Sequence, residues 1–282
     1  AAHSAEITPQ PLARRILDEP LVLFRTASGR VAILEDRCIH RLLPLSRGRV
    51  VAEHIQCPYH GAEYDGDGRC AVVPGQAEPP AGARVRSYPA VEQHGFVWVW
   101  TGDPALASAH APSPVLAFLD TGGFDTLDGY LHIGCGYELM NDNLADVTHA
   151  EFVHRSTLGM PDIRVARQDG QPPPQGARHS FRAALRPDGI DFEVGIHDTR
   201  IAPAFERGYA RHHGREEWGH LDFEMEFVFR APGQWIFAPW IKEPGVPRAQ
   251  GLKFHVPILL TPETARSHHY FYRTCQRYAP QA

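Results

Sequence analysis

The sequence predicts an α+β protein, in which an all-β N-terminal domain precedes a domain with a mostly antiparallel sheet and few helices. The first hundred residues contain short apolar runs separated by glycine, proline and aspartate, which is typical of short strands joined by turns. The second half contains longer runs, such as 223–229, in which apolar and acidic residues alternate as in a strand with one buried face. Between them, the stretch 141–154 mixes apolar and polar residues in a way that favours a helix.

The N-terminal elements begin with a predicted hairpin, because the apolar segments 16–24 and 31–34 flank a turn at Ser28-Gly29. The run 95–100 is apolar on both faces and predicts a buried strand. Turn-forming residues at 102–104 stop this strand. We therefore expect the first domain to cover residues 1–104.

The remaining residues predict a linker and a second domain. Residues 105–120 are rich in alanine and proline, which indicates a linker before a domain at 121–282. Within that domain, alternation at 130–139 predicts a strand that leads into the helix. The segment 202–220 is polar and irregular, and it is long for a loop in a compact domain. It is therefore expected to be either a functional lid or a mobile segment.

The composition excludes several classes of function. The formal net charge of −5 argues against a nucleic-acid partner, which would need a basic patch. No apolar run approaches the roughly 18 to 20 residues of a membrane span. The N-terminus shows neither the basic nor the apolar region of a signal peptide, so a cytoplasmic location is expected. The five cysteines are too few and too scattered for a disulfide framework.

Two motifs each pair a cysteine with a nearby histidine: Cys38-x-His40 and, after sixteen intervening residues, Cys57-x-x-His60. A structural zinc site usually places both cysteines in one knuckle and both histidines in the other. Here each motif carries one of each. That arrangement suits a Rieske [2Fe–2S] cluster, in which one iron takes both cysteines and the other takes both histidines. The other three cysteines are expected to be core thiols: Cys70, Cys135 and Cys275.

A second constellation lies at Asn143, Asp146, His149 and His154. Two imidazoles and a carboxylate supply the facial triad of a mononuclear non-haem Fe(II) site. On a regular helix Asn143, Asp146 and His149 share one face, whereas His154 lies about 140° round from His149. The helix must therefore bend or end before His154 if both imidazoles bind one metal. The alternative is a helix with ordinary buried or exposed histidines.

Together the two motifs resemble the α subunit of a Rieske non-haem iron oxygenase. The resemblance is greatest to the aromatic demethylases and monooxygenases of the vanillate O-demethylase, dicamba monooxygenase and toluenesulfonate methyl-monooxygenase group. The segments 61–64, 98–104 and 261–264 also fit this group, so the likeness covers nearly the whole chain. It implies a Rieske domain followed by a helix-grip catalytic domain, assembled as a head-to-tail homotrimer.

The resemblance changes the expected role of Asp146. From the residues alone, Asp146 is the nearest carboxylate and hence the preferred third iron ligand. The family implies instead that it bridges His60 of one subunit to His149 of the next, while His149 and His154 bind the iron. The third ligand is then an aspartate on a C-terminal helix, which we expect to lie beyond Ala282.

The predicted function is that of an oxygenase component. Electrons from NAD(P)H would arrive through a separate reductase, reduce the cluster and cross Asp146 to the Fe(II) of the neighbouring subunit. There O2 is used to hydroxylate or O-demethylate a small aromatic substrate, which is expected to be acidic. Asn143 either supports the iron or its water, or caps a helix N-terminus.

Two other classes of function stay open on the sequence. One is a Rieske ferredoxin-type electron carrier, against which the second histidine pair argues, since a carrier needs only the first hundred residues. The other is a non-catalytic ligand-binding protein of helix-grip shape, which the missing third iron ligand leaves open.

Overall fold

A computed structural model describes residues 1–109, 112–154, 157–159 and 178–276. The chain forms two compact units. The first contains Ala1–Gly122 together with Thr261–Ser267, and the second contains the remaining described residues. The helices are α1 (Tyr137–Ala145), α2 (Ala150–Val153) and α3 (Pro203–His212).

The first unit is built from small antiparallel sheets. Three strands pair in the order β1-β10-β9, three in the order β2-β3-β4 and four in the order β5-β6-β7-β8. Two clusters of buried side chains, one around Phe24 and Tyr64 and one around Leu21 and Val97, form its core. The strands are β1 (Ala2–His3), β2 (Leu12–Ile16), β3 (Glu19–Arg25), β4 (Val31–Glu35), β5 (Arg49–Val51), β6 (His54–Gln56), β7 (Glu63–Asp65), β8 (Cys70–Val72), β9 (Ala90–Gln93) and β10 (Phe96–Val99).

The second unit is organised around one seven-stranded sheet with the order β11-β17-β16-β15-β14-β13-β12. Neighbouring strands whose register is described run antiparallel. The predicted α+β class, with β-rich first half and antiparallel second half, is confirmed. The strands are β11 (Asp125–Ile133), β12 (Arg178–Arg186), β13 (Gly189–Thr199), β14 (Leu221–Arg230), β15 (Gln234–Lys242), β16 (Leu252–Thr264) and β17 (Ser267–Gln276).

Aromatic and acidic side chains alternate along β14, which gives the two faces of this sheet different chemistry. On one face Phe227 stacks on Phe192 of β13 at 4.5 Å between ring centroids and meets Phe237 of β15 edge-on at 4.7 Å. On the other face Glu226 pairs with Arg248 at 2.7 Å. Because successive side chains of a strand point to opposite sides, the sheet has an aromatic face and a charged face.

Helix α1 packs on the aromatic face. Tyr137, Met140 and Leu144 contact the buried cluster that contains Trp235 and Ile258. Their spacing of three and four residues is that of one helical face. The strand predicted over 130–139 is therefore wrong in its second half, since β11 ends at Ile133 and the helix begins at Tyr137. Two glycines, at 134 and 136, interrupt the alternation between them.

The segment 202–220 also differs from the sequence-based expectation of an irregular loop, because it contains α3. Pro203 occupies the first turn, where its missing N–H costs nothing. Tyr209 is buried in a cluster with Leu221 and Ile241, and Ala210 is also buried. This packing stabilises a helix that the polar composition of the segment does not predict.

The predicted linker 105–120 lies in the first unit and contains two short 3-10 helices, Pro104–Ala109 and Pro114–Thr121. The division at residues 104 and 121 stays a prediction. No helix among the described residues is long and apolar enough to cross a bilayer.

Candidate metal centres

The two Cys/His motifs form a pair of loops with the same backbone hydrogen bonds. In the first loop the amide of Cys38 donates to the carbonyl of Leu43 at 2.9 Å, and Leu42 N–H donates back to Cys38 O at 2.8 Å. In the second, the corresponding bonds join Cys57 to Ala62 at 2.8 Å and Gly61 to Cys57 at 3.1 Å.

Each loop has a residue with positive φ at its fifth position, 56° at Leu42 and 74° at Gly61. Glycine adopts this conformation without penalty, whereas a leucine is strained there. The motifs thus fold as matched turns that bring their side chains to one place, as the sequence predicts for a shared metal centre.

The four predicted ligands differ in burial, with the two thiols buried and the two imidazoles exposed. The thiols of Cys38 and Cys57 lie in the core at 2% exposure, and neither is in a disulfide. The imidazoles of His40 and His60 are exposed, with their Nδ1 atoms 3.2 Å apart. The ring of Tyr59 stacks against that of His60 at 3.9 Å between centroids. Two facing nitrogens thus lie at the surface, and two thiols lie beneath it.

The surroundings of the thiols are partly polar. Cys38 Sγ lies 3.2 Å from the hydroxyl of Tyr64, which is fully buried. Burial raises the pKa of the Cys57 thiol, while the backbone amides of Tyr59 and His60 act in the opposite direction by donating to it. Burial also raises the pKa of the Tyr64 phenol, so it carries its proton at neutral pH.

This donor set fits a Rieske cluster better than a zinc ion. A Rieske cluster needs two thiolates on one iron and two imidazoles on the other, and the pair of thiols and the pair of imidazoles are separate here. Tetrahedral zinc would instead require all four groups around one point. In the described portion of the chain, no three His, Cys, Asp or Glu side chains converge on a single ion position.

The second constellation begins where α1 is interrupted. The helix ends at Ala145, and Asp146 has an extended backbone with φ −91° and ψ 97°. A 3-10 turn, Val147–His149, and the short helix α2 follow, and α2 ends at Val153. The expectation that Asn143, Asp146 and His149 share one helical face is therefore wrong. The expectation that the helix ends before His154 is consistent with the end of α2.

These interruptions bring the two histidines together. The rings of His149 and His154 lie 5.3 Å apart between centroids, inclined at 63°. Both side chains are half-buried. On a continuous helix their positions would diverge by about 140°, so the irregular backbone makes the pair possible.

Asp146 serves as a local cap. Its Oδ1 accepts hydrogen bonds from the amide of Thr148 at 2.9 Å and from the Thr148 hydroxyl at 2.6 Å. These bonds hold the pKa of Asp146 below its usual value, although the carboxylate is exposed. The carboxylate is therefore an anion at neutral pH.

Asn143 lies inside α1 and is exposed. The helix N-cap is Gly136, so the alternative in which Asn143 caps a helix is wrong. Sequence reasoning missed a different asparagine of the same helix. Asn141 Oδ1 accepts a hydrogen bond from Trp235 Nε1 at 2.8 Å, and its Nδ2 donates to Pro232 O at 2.8 Å.

Comparison with known proteins finds two family matches in this chain. The Rieske [2Fe-2S] domain family matches residues 1–89. The vanillate O-demethylase oxygenase C-terminal domain family matches residues 133–282. These two matches cover the Cys/His loops and the histidine pair respectively.

Characterised relatives are similar over much of the chain. The dicamba O-demethylase oxygenase component of Stenotrophomonas maltophilia is 35% identical over 285 residues, covering 99% of this chain and 77% of that protein. A vanillate O-demethylase oxygenase subunit from Pseudomonas sp. (strain ATCC 19151) is 40% identical over 197 residues, covering 66% of this chain and 59% of the relative.

The solved structures give the same grouping. Dicamba monooxygenase bound to 3,6-dichlorosalicylic acid superimposes with a TM-score of 0.86 at 32% identity, covering 99% of this chain and 77% of that one. Dicamba monooxygenase with non-haem iron and dicamba gives a TM-score of 0.78 at 30% identity, covering 100% and 77%. The chain therefore belongs to the Rieske oxygenases of the vanillate O-demethylase and dicamba monooxygenase group, as an oxidoreductase and oxygenase component.

Proposed function

We propose that the protein uses O2 to hydroxylate or O-demethylate a small, acidic aromatic substrate, with electrons delivered from NAD(P)H by a separate reductase. The observation that carries the proposal is the presence of two histidine pairs. One lies beside two buried thiols in the β-rich unit, and the other lies at the interrupted helix of the second unit. The first pair suits electron transfer, and the second suits a reaction at an iron with open positions.

Cys38, Cys57, His40 and His60 are assigned as the ligands of the [2Fe–2S] cluster. The thiols lie in the core, where solvent cannot reach them, and the imidazoles that would hold the second iron lie at the surface. When bound, the cluster and the mononuclear iron supply one-electron transfer and O2 activation; the protein supplies the positions of both.

His149 and His154 are assigned as ligands of the mononuclear Fe(II). A facial triad needs one carboxylate in addition. The family resemblance assigns Asp146 to a bridge between subunits and not to this third position. The family resemblance supports a carboxylate outside the described residues, and Asn143 on α1 supports the iron or its water.

Asp146 is assigned as the bridge between the two sites. Its Oδ2 accepts no hydrogen bond within the described part of the chain, while Oδ1 is fixed by two. An oriented anion with one open oxygen could accept hydrogen bonds from the outer N–H groups of the imidazoles that would bind the metals. The partners would be His149 of its own chain and His60 of the neighbouring subunit.

Exposed apolar side chains around both sites support an assembly of several chains, for which the family resemblance implies a homotrimer. Beside the cluster ligands, Ile39, Leu42 and Tyr59 are 45%, 65% and 55% exposed. Beside His154, Phe152 and Val153 are exposed. Large apolar groups at a polar site are typical of surfaces that are covered in an assembly. Contact between the two patches on different chains would bring His60 towards Asp146.

An aromatic substrate is supported by the aromatic face of the sheet. Phe192 stacks on Phe227, which Phe237 meets edge-on, and Tyr270 and Tyr272 of β17 belong to the same aromatic cluster. Such a surface favours a planar apolar ring. The helices that carry the histidine pair follow α1, which packs on the same face.

The test is a screen of methoxybenzoates and related aromatic acids with the full protein, its reductase partner, NADH and O2. Formaldehyde release is the readout, because hydroxylation of a methoxy carbon gives a hemiacetal that collapses to a phenol and formaldehyde. A His154→Ala variant serves as the control and is expected to release none. Formaldehyde release at equal rates by both proteins would overturn the assignment of the iron site.

A further inference from the structure

A serine, a histidine and an aspartate lie in a row across three neighbouring strands, on the charged face of the seven-stranded sheet. Ser180 belongs to β12, His197 to β13 and Asp222 to β14. The Oγ atom of Ser180 lies 3.1 Å from Nε2 of His197. On the other side of the ring, Nδ1 of His197 lies 3.6 Å from Oδ2 of Asp222. None of the three is assigned to either metal site.

The order of these groups is that of an activated serine nucleophile. Such a site needs a hydroxyl within about 2.6 to 3.2 Å of a base, and a third group that orients the base. The contact between Ser180 and His197 meets this requirement, and Asp222 stands at the longer distance that is common before a substrate binds. A second carboxylate, that of Glu224, lies 3.9 Å from the same Nδ1. The two anions favour the tautomer with its proton on Nδ1, which leaves the lone pair of Nε2 to accept the Ser180 proton.

Asp222 is suited to orient the histidine, because it is buried and held in place. It is 6% exposed, its Oδ1 accepts a hydrogen bond from the Asp198 amide at 2.9 Å, and Lys242 pairs with its Oδ2. Burial acts to raise the pKa of Asp222, but the bonds from Lys242 and from the Asp198 amide outweigh it. The carboxylate is therefore an anion at neutral pH, and it stabilises the imidazolium that forms when His197 takes a proton.

Gly195 leaves the space in which the hydroxyl and the imidazole meet. It pairs with Ser180 across β12 and β13, and a Cβ at this position would collide with Ser180 Oγ and lie 3.0 Å from His197 Nε2. A glycine inside a strand often marks a place where other groups approach closely. Strand β12 is at the edge of the sheet, and Ser180 and His197 are half-buried. A small molecule can therefore reach the hydroxyl.

We propose that Ser180 is a nucleophile that small aryl esters acylate, with His197 as its general base and Asp222 as the group that orients His197. Attack of Ser180 Oγ on the ester carbonyl passes the serine proton to His197 Nε2. The bond to the aryl oxygen then breaks, and His197 returns the proton to that oxygen, which gives an acyl-serine and a phenol. Water hydrolyses the acyl-serine in the same way, with His197 again as base.

The substrate class follows from the leaving group and from the oxidation states. An aryl oxygen is a good leaving group, so the bond breaks without strong stabilisation by the protein. No atom is oxidised or reduced in either step, so the reaction needs neither O2 nor a reductase. The activity is therefore separate from the proposed oxygenase reaction and is measured without it.

The first test is the release of p-nitrophenol from p-nitrophenyl acetate by the full protein, together with mass spectrometry of the acetylated chain. Ser180→Ala should abolish acetylation at this position. His197→Ala should slow it at least about a hundredfold, which is the range for loss of a general base. Ser267→Ala is the matched control, since the Ser267 hydroxyl lies 2.7 Å from that of Thr264 and not beside a histidine. This variant should react at the unchanged rate.

A second measurement needs no variant of the serine. A fluorophosphonate forms a stable adduct with activated serines, and peptide mapping of the unchanged protein should find that adduct on Ser180. The His197→Ala protein should carry none. Absence of the adduct from Ser180 in the unchanged protein would overturn the proposal. Equal release of p-nitrophenol by the unchanged protein and by Ser180→Ala would also overturn it.

Discussion

Trp235 and Asn141 are joined by a hydrogen bond of 2.8 Å from the indole Nε1 to the side-chain oxygen, across 94 residues of sequence. Trp235 lies in β15 at 2% exposure, and Asn141 lies in the middle of α1. The bond fixes the helix to the sheet one turn before the backbone break at Asp146. The position of the histidine pair therefore depends on a polar contact between helix and sheet.

Replacing Asn141 by leucine should destabilise the protein and weaken the iron site. The indole N–H would remain buried without a partner, which costs about 1 to 3 kcal/mol. The free energy of unfolding from urea titration measures this cost, and iron content reports the site. Asp142→Ala, at an exposed position of the same helix, should change stability by less than about 0.5 kcal/mol. Equal effects of the two substitutions would show that the hydrogen bond between Trp235 and Asn141 does not stabilise the protein.

Gly61→Ala should impair the second cysteine loop. The φ of 74° disfavours a side chain, and the added Cβ would lie 3.1 Å from Pro74 Cγ. The left-handed conformation alone costs about 1 to 2 kcal/mol. The expected result is a lower cluster content, measured as acid-labile sulfide per chain. Leu42→Gly, at the matching position of the first loop, relieves strain and should retain the full sulfide content.

Asp146→Ala should separate metal binding from turnover. Because Asp146 is assigned as a bridge and not as a ligand, the variant should keep both iron centres. Product formation should fall by at least about tenfold, in the range seen when a hydrogen-bond partner of a metal ligand is removed. Metal analysis and steady-state turnover are measured on the same sample. Normal turnover in this variant would contradict the assignment of Asp146 as the bridge between the two sites.

The charged face of the sheet predicts a dependence of stability on pH. Burial acts to raise the pKa of Asp222, but the hydrogen bonds from Lys242 and from the Asp198 amide outweigh it and hold the pKa below its usual value. A carboxyl with a lowered folded-state pKa contributes stability above the unfolded value, about 3.9. That contribution is lost as the pH falls through the folded-state pKa.

Asp222→Asn should therefore lower the free energy of unfolding most at neutral pH, because it leaves the charge of Lys242 buried without its partner. The expected decrease is about 3 kcal/mol. The difference from the unchanged protein should shrink below about pH 4. Urea titrations at pH 7 and pH 3.5 measure the free energy of unfolding of the variant and of the unchanged protein. Asp125→Asn, at an exposed position, should show no such pH dependence. A constant difference across the pH range would contradict the ion-pair interpretation.

Much of this arrangement is readable from local sequence. The two Cys/His motifs predict their own turns, because glycine and proline mark the loop ends and the ligand types restrict the cofactor. The alternation at 223–229 predicts β14, since one face of that strand is aromatic and the other is acidic. These features depend on neighbours along the chain.

The features that the sequence does not reveal depend on distant residues. The interruption of the helix at Asp146 is stabilised by Thr148, but the surrounding sequence is also compatible with a continuous helix. The role of Asn141 requires Trp235 on another element. Helix α3 is ordered by burial of Tyr209 against strands that follow it in the chain. In each case tertiary packing outweighs the local pattern.

The central claim is that Cys38, His40, Cys57 and His60 hold a Rieske cluster while His149 and His154 hold a separate iron. Analysis of iron, zinc and acid-labile sulfide in the unchanged protein and in His154→Ala tests it most directly. The predicted result is a [2Fe–2S] cluster plus one further iron in the unchanged protein, with loss of only that iron in the variant. Zinc in place of iron and sulfide, or loss of the cluster on changing His154, would contradict the claim.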